Sequence, residues 1–520
     1  MAGHTHHPQA SHVQQPVLFR PCAAAPARSG EEGSTSKHLY SPDCTHRTAP
    51  IGAEARVAED QKLSTKIVDT FGSTVSDMVD TKPKLARNLL LRAFEVKRFQ
   101  TRRLPEAQQL PSGRAAARIA LEGVTGALEH PDEAVLTSIF LPTELFLAMG
   151  LRPLASEVLA DFVTGARAEE GLVRSAEQRG IPETYCSFHK ILLGAAAARV
   201  LAPPRLIANC SVACDANNTT FKWLAQELSS PHVYVDVPYE YDEDACSYVA
   251  DQLRELARAA EETFGRALDE GLLREHVAHT QATLDAMVRS LPLRRGRYLH
   301  NDMGLEMQQA LALHLSLGST DSLKMSQQAL RDLQRAERFD GLSLVWAHVA
   351  PFFSPSLQQM LDMNREAQIV TSDMCFNQTS FDAFERDATG RLVLDAAGSP
   401  RPHPGAKPWA HDASEPWEAM AERLIKNTFN GPARRRIQRL HDLAQLAAAD
   451  GVVCFCHWGC KETMGASQLA KRELEAAGIP VLVLDGDGCH RANNAEGQSS
   501  TRMGAFLEML RARKGEVASA

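Results

Sequence analysis

The sequence predicts an α/β protein: two doubly wound parallel-sheet domains, Rossmann-like or flavodoxin-like, with added helices and a disordered N-terminal tail. Three observations predict it. Short apolar runs rich in β-formers alternate with helical patterns, as βαβ units on a parallel sheet require. The order of these elements is alike in the two halves, although no residue-level repeat is visible. At 520 residues the chain is also far past the size at which one hydrophobic core stops growing.

The elements follow in order. Residues 1–60 are rich in His, Pro, Ser, Ala and Gly, lack hydrophobic periodicity and read as the tail. The cluster His4, His6, His7 and His12 reads there as solvated rather than metal-binding. Residues 61–130 form a helical lead-in, with Pro83 suited to a first helical turn. The first α/β domain, 131–300, starts with a buried strand at 135–141 and a helix between Pro142 and Gly150. Strands at 205–210 and 232–237 flank a helix around 221–228, and a long helical region at 245–289 closes the unit. The second domain, 301–520, runs strand 342–349, helix 354–364, strand 367–371 and an irregular loop 387–415. Helix 416–449, strand 451–456, helix 465–477, strand 479–485 and helix 501–510 complete it.

Composition narrows the function. Apolar residues at 44% and charged residues at 23% let the chain fold without disulfides or a bilayer. Fifty-six Lys+Arg against 64 Asp+Glu give a formal charge of -8, which argues against a globally basic nucleic-acid binder. The best apolar stretch, 135–151, is broken by Thr137, Pro142 and Glu144, so no membrane partner is expected. Residues 1–16 have no apolar core, so a secretory signal is not expected and the location expected is cytoplasmic. Eleven cysteines, an odd number, then point to metal, catalysis or core packing rather than a disulfide framework.

Their placement is more informative. Cys22 and Cys44 fall in the tail and Cys246 opens a helix. Cys186, Cys210, Cys214, Cys375, Cys454, Cys456, Cys460 and Cys489 lie in segments that read as strand ends. Ligands of open parallel sheets bind outside the carboxyl ends of the strands, so thiols from several loops crowd the functional edge and suit one metal centre. Zinc has no standard spacing here, since Cys456-x3-Cys460 and Cys210-x3-Cys214 are the only pairs available. Cys454-Phe-Cys456-His457 is one residue short of a haem attachment motif. Single thiolates from separate loops suit an iron–sulfur cluster, whose corners each take one sulfur. Neither G-x-x-x-x-G-K-[ST] nor G-x-G-x-x-G nor G-x-S-x-G occurs in a fitting context, so any ATP would be handled by another subunit.

An ordered set of motifs resembles a known family. Pro142-x-Glu144-x-x-x-Ala148-x-Gly150, Cys186-Ser-Phe, Cys214-Asp and Asp236-Val-Pro-Tyr come first. Cys456-His-Trp-Gly-Cys-Lys, Gly478-Ile-Pro-Val-Leu-Val-Leu-Asp-Gly-Asp and Gly497-Gln-Ser-Ser-Thr-Arg-Met-Gly-Ala-Phe-Leu follow. Over residues 134–510 the chain looks like the 2-hydroxyacyl-CoA dehydratase component D family, a group that includes benzoyl-CoA reductase subunits. The resemblance implies a low-potential [4Fe-4S] cluster on Cys186, Cys214 and Cys460, with one iron left for substrate. Cys210 and Cys456 then read as core or neighbouring residues, while Cys375, Cys456 and Cys489 keep a double-cubane [8Fe-9S] cluster in view. No cysteine falls between Ser187 and Asn209, where double-cubane relatives carry extra ones, which favours the single cubane. Glu183 and His457 flank the ligands as weak candidates for moving protons. Asn217, Asn218, Lys461 and Gln498 are given no role.

The reaction implied is a reductive, ketyl-type removal of water from a CoA thioester. The β-proton of a 2-hydroxyacyl thioester is hardly acidic, and one electron on the thioester carbonyl reverses the polarity so that the hydroxyl leaves. Such an electron needs a potential near the bottom of the cluster range, roughly -700 mV. The resemblance therefore also implies an acyl-CoA substrate, a separate activating ATPase as electron donor, and pairing with a sister subunit or with itself. The alternatives are an electron-relay or double-cubane-type reductase of a small molecule, a benzoyl-CoA reductase-like subunit, and a zinc-stabilised binding protein.

Overall fold

The computed structural model describes residues 51–104 and 108–519, with side chains from residue 65 to residue 515. Most of the tail expected at 1–60, with its histidine cluster, Cys22 and Cys44, lies outside the described residues. Residues 60–520 form one compact unit.

Three helices lead in: α1 (Ile51–Met78), α2 (Pro83–Arg103) and α3 (Pro111–Glu129), the latter two opened by proline at N1. The first sheet follows: β1 (Ala134–Thr137), α4 (Glu144–Ala148), β2 (Arg152–Ala155), α5 (Ser156–Gly165), α6 (Glu169–Gln178), α7 (Ser187–Ala197), β3 (Leu206–Cys210), α8 (Asp215–Leu228) and β4 (His232–Val235). All its pairings are parallel, in the order β2-β1-β3-β4. Helices α9 (Glu243–Phe264), α10 (Glu270–Leu293), α11 (Leu305–Ser316) and α12 (Thr320–Arg335) connect it to the second sheet. There, β5 (Leu342–Ala347), α13 (Pro355–Leu361), β6 (Ala367–Ser372), α14 (Pro416–Ile425), α15 (Ala433–Ala447), β7 (Gly451–His457), α16 (Lys461–Ala476), β8 (Val481–Gly486) and α17 (Glu496–Ser519) repeat the plan. The strand order β6-β5-β7-β8 is that of the first sheet, and again every pair is parallel. The expected α/β fold with two parallel sheets flanked by helices is therefore present.

The differences have local causes. The long helical region expected at 245–289 is two helices, because Gly265 takes a positive φ at the end of α9 and the Asp269 side chain caps α10 by accepting from Leu272 N–H. The helix expected at 416–449 breaks where Gly431 turns at φ 90° and Pro432 precedes α15. Strand β2 was absent from the expected elements. It contains Pro153, which a sheet tolerates here because β2 is an edge strand. The loop expected at 387–415 is irregular, stitched by isolated antiparallel bridges such as Arg386–Leu392 and Leu394–Pro400.

One apolar core runs through both sheets, from Val135 and Leu206 to Leu344 and Val453. Polar contacts also join the halves: Ser187 Oγ donates to Asp487, 2.6 Å, and Thr164 Oγ1 to the Cys489 carbonyl, 3.0 Å. His490 Nε2 lies 2.7 Å from Glu170, and Arg491 donates to Glu169 at 2.6 Å. They fix the carboxyl edge of one sheet against helices of the other, and the cysteine loops lie there.

Candidate functional site

Cys186, Cys214 and Cys460 are each the residue before a helix: the N-caps of α7, α8 and α16. Cys214 and Cys460 follow β3 and β7, as their sequence setting suggests. Cys186 does not lie at a strand end. It opens α7, the last helix of the crossover between β2 and β3, and reaches the same place from the side. Gly459 brings the loops together. Its φ is +80°, and a Cβ there would stand 2.6 Å from the backbone nitrogen of Cys186, so the Cys460 loop lies directly on the Cys186 backbone. The three thiols are close enough that each ionised neighbour opposes ionisation of the next. Burial, then Cys214 and Cys460, hold Cys186 well above the ordinary thiol range, and burial, then Cys460, push Cys214 up to about 12. Burial also raises Cys460. Against this, the backbone N–H groups of His189, Asn217 and Thr463, each three residues into its helix, favour the thiolates.

Each thiol also faces an imidazole. His457 Nε2 is 3.2 Å from Cys186 Sγ, His189 Nε2 is 3.7 Å from Cys214 Sγ, and His348 Nε2 is 3.8 Å from Cys460 Sγ. The His457 tautomer is set by its other nitrogen: Gly488 N–H donates to Nδ1 at 3.0 Å, so the neutral ring carries its proton on Nε2, towards sulfur. Burial lowers the pKa of all three rings, His189 to about 4, and keeps them neutral. Beyond Cys460, Arg436 bridges Asp373, 2.7 Å, and Glu462, while Asp373 accepts from His348 N–H at 2.7 Å. The ligand atoms of His348, Cys460 and Glu462 lie within 4.8 Å of one another, a set that also suits a single metal ion.

The other cysteines are placed differently. Cys210 ends β3, fully buried with its sulfur 3.8 Å from Ser138 Oγ, and Cys456 lies inside β7 with its sulfur 3.8 Å from the Thr463 carbonyl. Cys375 is buried against Gln309, 3.6 Å, and Cys489 against Thr164 Oγ1, 2.9 Å. Cys246 and Cys454 are buried in α9 and β7. Glu183 is exposed in the turn before Cys186, where its carbonyl accepts from Lys190 Nζ at 2.9 Å.

Sequence reasoning missed several groups. His189, three residues after Cys186, and His348, just past β5, carried no motif signal, because their relation to sulfur exists only in three dimensions. Glu157 was hidden with β2. It follows that strand, accepts from Ile139 N–H at 3.1 Å and from Ser156 Oγ at 2.7 Å, and burial pushes it up to about 7. Its charge in turn raises Cys214, which places the carboxyl on the thiol side of the sheet. Asp161, one turn further along α5, is also pushed up to about 7 by burial.

Comparison with known proteins shows the family. The profile of the family described as "2-hydroxyglutaryl-CoA dehydratase, D-component" matches residues 138–510. The alpha subunit of lactoyl-CoA dehydratase from Anaerotignum propionicum is 22% identical over 417 residues, 71% of this chain and 89% of that one. The alpha subunit of (R)-phenyllactyl-CoA dehydratase from Clostridium sporogenes is 20% identical over 387 residues, 72% and 88% of the two chains. No helix among the described residues is long and apolar enough to cross a membrane. With the fold and the matched span in agreement, the chain belongs to the 2-hydroxyglutaryl-CoA dehydratase D-component family and is a dehydratase-like enzyme subunit.

Proposed function

We propose that this chain is the iron–sulfur subunit of a cytoplasmic 2-hydroxyacyl-CoA dehydratase, with Cys186, Cys214 and Cys460 holding one [4Fe-4S] cluster. The observation that carries this reading is that three thiols from three separate helix N-termini lie close enough to oppose one another's ionisation, with the Gly459 loop resting on the Cys186 backbone. The donor set fits the group. Thiolates are the soft ligands such clusters take, one per corner. Three helix N-termini favour the negative charge, and the mutual opposition of the thiols is what a cationic core relieves. When bound, the cluster supplies single electrons at low potential and a Lewis-acidic iron without a protein ligand.

The chain's own residues do the rest. Glu157, held by Ile139 N–H and Ser156 Oγ, keeps its proton near neutral pH and stores it on the thiol side of the sheet, where a departing hydroxyl needs one to leave as water. His457 points Nε2–H at Cys186 Sγ and thereby supports thiolate at that corner. Both curated relatives are named alpha subunits, so a homologous sister subunit, or a second copy of this chain, completes the enzyme. A separate ATPase supplies the electron, consistent with the lack of a phosphate-cradling loop in this sequence.

The test is anaerobic purification with iron, sulfide and zinc analysis, followed by spectra with a panel of 2-hydroxyacyl-CoA thioesters. About four irons per chain and a spectrum perturbed by one thioester are expected. A colourless protein with stoichiometric zinc would make His348, Cys460 and Glu462 a zinc centre and end the cluster reading. An iron–sulfur spectrum indifferent to every thioester would leave an electron relay.

A further inference from the structure

An apolar cavity lies at the opposite edge of the first sheet from the thiols. Its volume is ≈ 170 Å³, and it reaches Pro131 and Ala134 at the start of β1 and Pro204 ahead of β3, whereas the thiols gather where the strands end. The floor is apolar and buried: Leu136 from β1, Leu154 from β2, Leu172 from α6, and Ile191 and Leu192 from α7. The mouth opens between the partly exposed Arg87 and Leu91 of α2, Leu128 of α3, and Pro203. No cysteine lines it, so it stands apart from the proposed metal centre.

A space of this kind favours a guest. An apolar cavity of roughly 150 Å³ stays dry and takes up benzene, because water finds no partners in it and the lining atoms lack contacts on one side. Here one lining group is charged. Arg87 donates Nη2 to the Arg199 carbonyl at 2.8 Å and Nε to that of Val200, both neutral acceptors beyond the end of α7. Among the described residues no carboxylate pairs with it, and burial lowers its pKa with no acidic neighbour to offset the effect. A half-buried cation at the rim of an apolar chamber, without an anion of its own, matches an amphiphile with a negative head.

We propose that this cavity binds a short-chain alkyl carboxylate, with the chain on the Leu136–Leu192 floor and the carboxylate at Arg87. The volume suits a chain of roughly six carbons, by comparison with the six of benzene. The free acid is the species recognised, because it brings the charge that Arg87 lacks.

Calorimetric titration of the full chain with hexanoate and with hexan-1-ol tests this. Hexanoate binds saturably and about tenfold more tightly than the alcohol, as a charge-assisted contact at a partly desolvated arginine predicts. Arg87→Gln brings the two ligands to equal affinity, Arg87→Lys keeps a preference for the acid, and Leu192→Phe fills the chamber and abolishes both. If Leu192→Phe does not fold, the acid-over-alcohol preference in the two Arg87 variants decides alone. Failure of hexanoate to saturate, equal binding of acid and alcohol to the unaltered chain, or an unchanged preference in Arg87→Gln overturns the proposal. None of these outcomes depends on whether iron is bound.

Discussion

The two sheets share a strand order but present different groups at matching places. In each, the third strand carries a cysteine, and a second one caps the following helix four residues later: Cys210 and Cys214 around β3, Cys456 and Cys460 around β7. The inner cysteine is buried in the sheet in both cases and the outer one is half-buried. Even the residue before the outer thiol has a positive φ in both, 73° at Ala213 and 80° at Gly459. The halves part at the helix before that strand. In the first, α7 is capped by Cys186. In the second, α15 is preceded by Pro432 and presents Arg436 four residues on, paired with Asp373 and Glu462. Likewise the acid after β2, Glu157, lacks a cation among its partners, whereas Asp373 after β6 has Arg436. A duplicated scaffold thus yields a matched pair of thiols, one unmatched thiol, and an arginine where a fourth would balance the set.

The strongest way to break this comparison is to remove the thiols one at a time. Cys186→Ser, Cys214→Ser and Cys460→Ser should each strip most of the iron from anaerobically prepared protein, while Cys210→Ser and Cys456→Ser keep it. Full iron in Cys186→Ser alone would mean that the matched pair suffices and the unmatched thiol is structural. Next in size is Arg436→Met, which leaves the buried Asp373 and the half-buried Glu462 without their cation and should cost about 3–5 kcal/mol. A denaturant midpoint within error of the parent would show that this network does not hold the second half.

A third test uses the acids. Glu157 and Asp161 have folded-state pKa values of about 7, above their unfolded values, so the folded state holds protons that the unfolded state releases. Stability is therefore greatest at low pH on this account and falls as pH rises from about 4 through 7, by on the order of 1–3 kcal/mol. The double variant Glu157→Gln/Asp161→Asn should flatten that slope in thermal melts across the window. A parent protein without the slope would mean that both acids are ionised in the fold.

Smaller effects sharpen the match between Ala213 and Gly459. Gly459→Ala drives a Cβ into the Cys186 backbone and should cost about 1–3 kcal/mol, with weaker iron retention; Gly465→Ala, exposed inside α16 with nothing within 4 Å, should instead stabilise by about 0.5–1 kcal/mol. Ala213→Gly relieves a left-handed alanine and should stabilise by about 0.5 kcal/mol. Equal responses of Gly459→Ala and Gly465→Ala in the same melts would remove the steric argument.

How far all this was legible in the sequence follows from how local each signal is. Cys214 and Cys460 could be read because strand, loop and helix are contiguous around them. Cys186 stood out only by family resemblance, and its strand-end reading failed because the stretch before it is a turn after α6. Edge strand β2 escaped because Pro153 and a length of four residues resemble a loop. With β2 went Glu157. The pairing of each thiol with an imidazole had no sequence signal, since His457 stands 271 residues from Cys186. Helix breaks at Gly265 and Gly431 were visible as glycines, but nothing local told a break from a tolerated glycine inside a helix.

The latch between Asp487 and Ser187 bears on the order in which the molecule is made. Cys186 and Cys214 leave the ribosome long before Cys460, and Asp487, which binds the start of α7, emerges later still. At roughly 5–20 residues per second, the interval between the first thiol and His457 is on the order of 10 to 60 s. During that time two thiols wait beside each other with neither the third nor the loop that covers them. Insertion of the proposed cluster therefore waits for β7 and the loop after β8, and a product truncated before β7 leaves an open pair of cysteines exposed to oxidation.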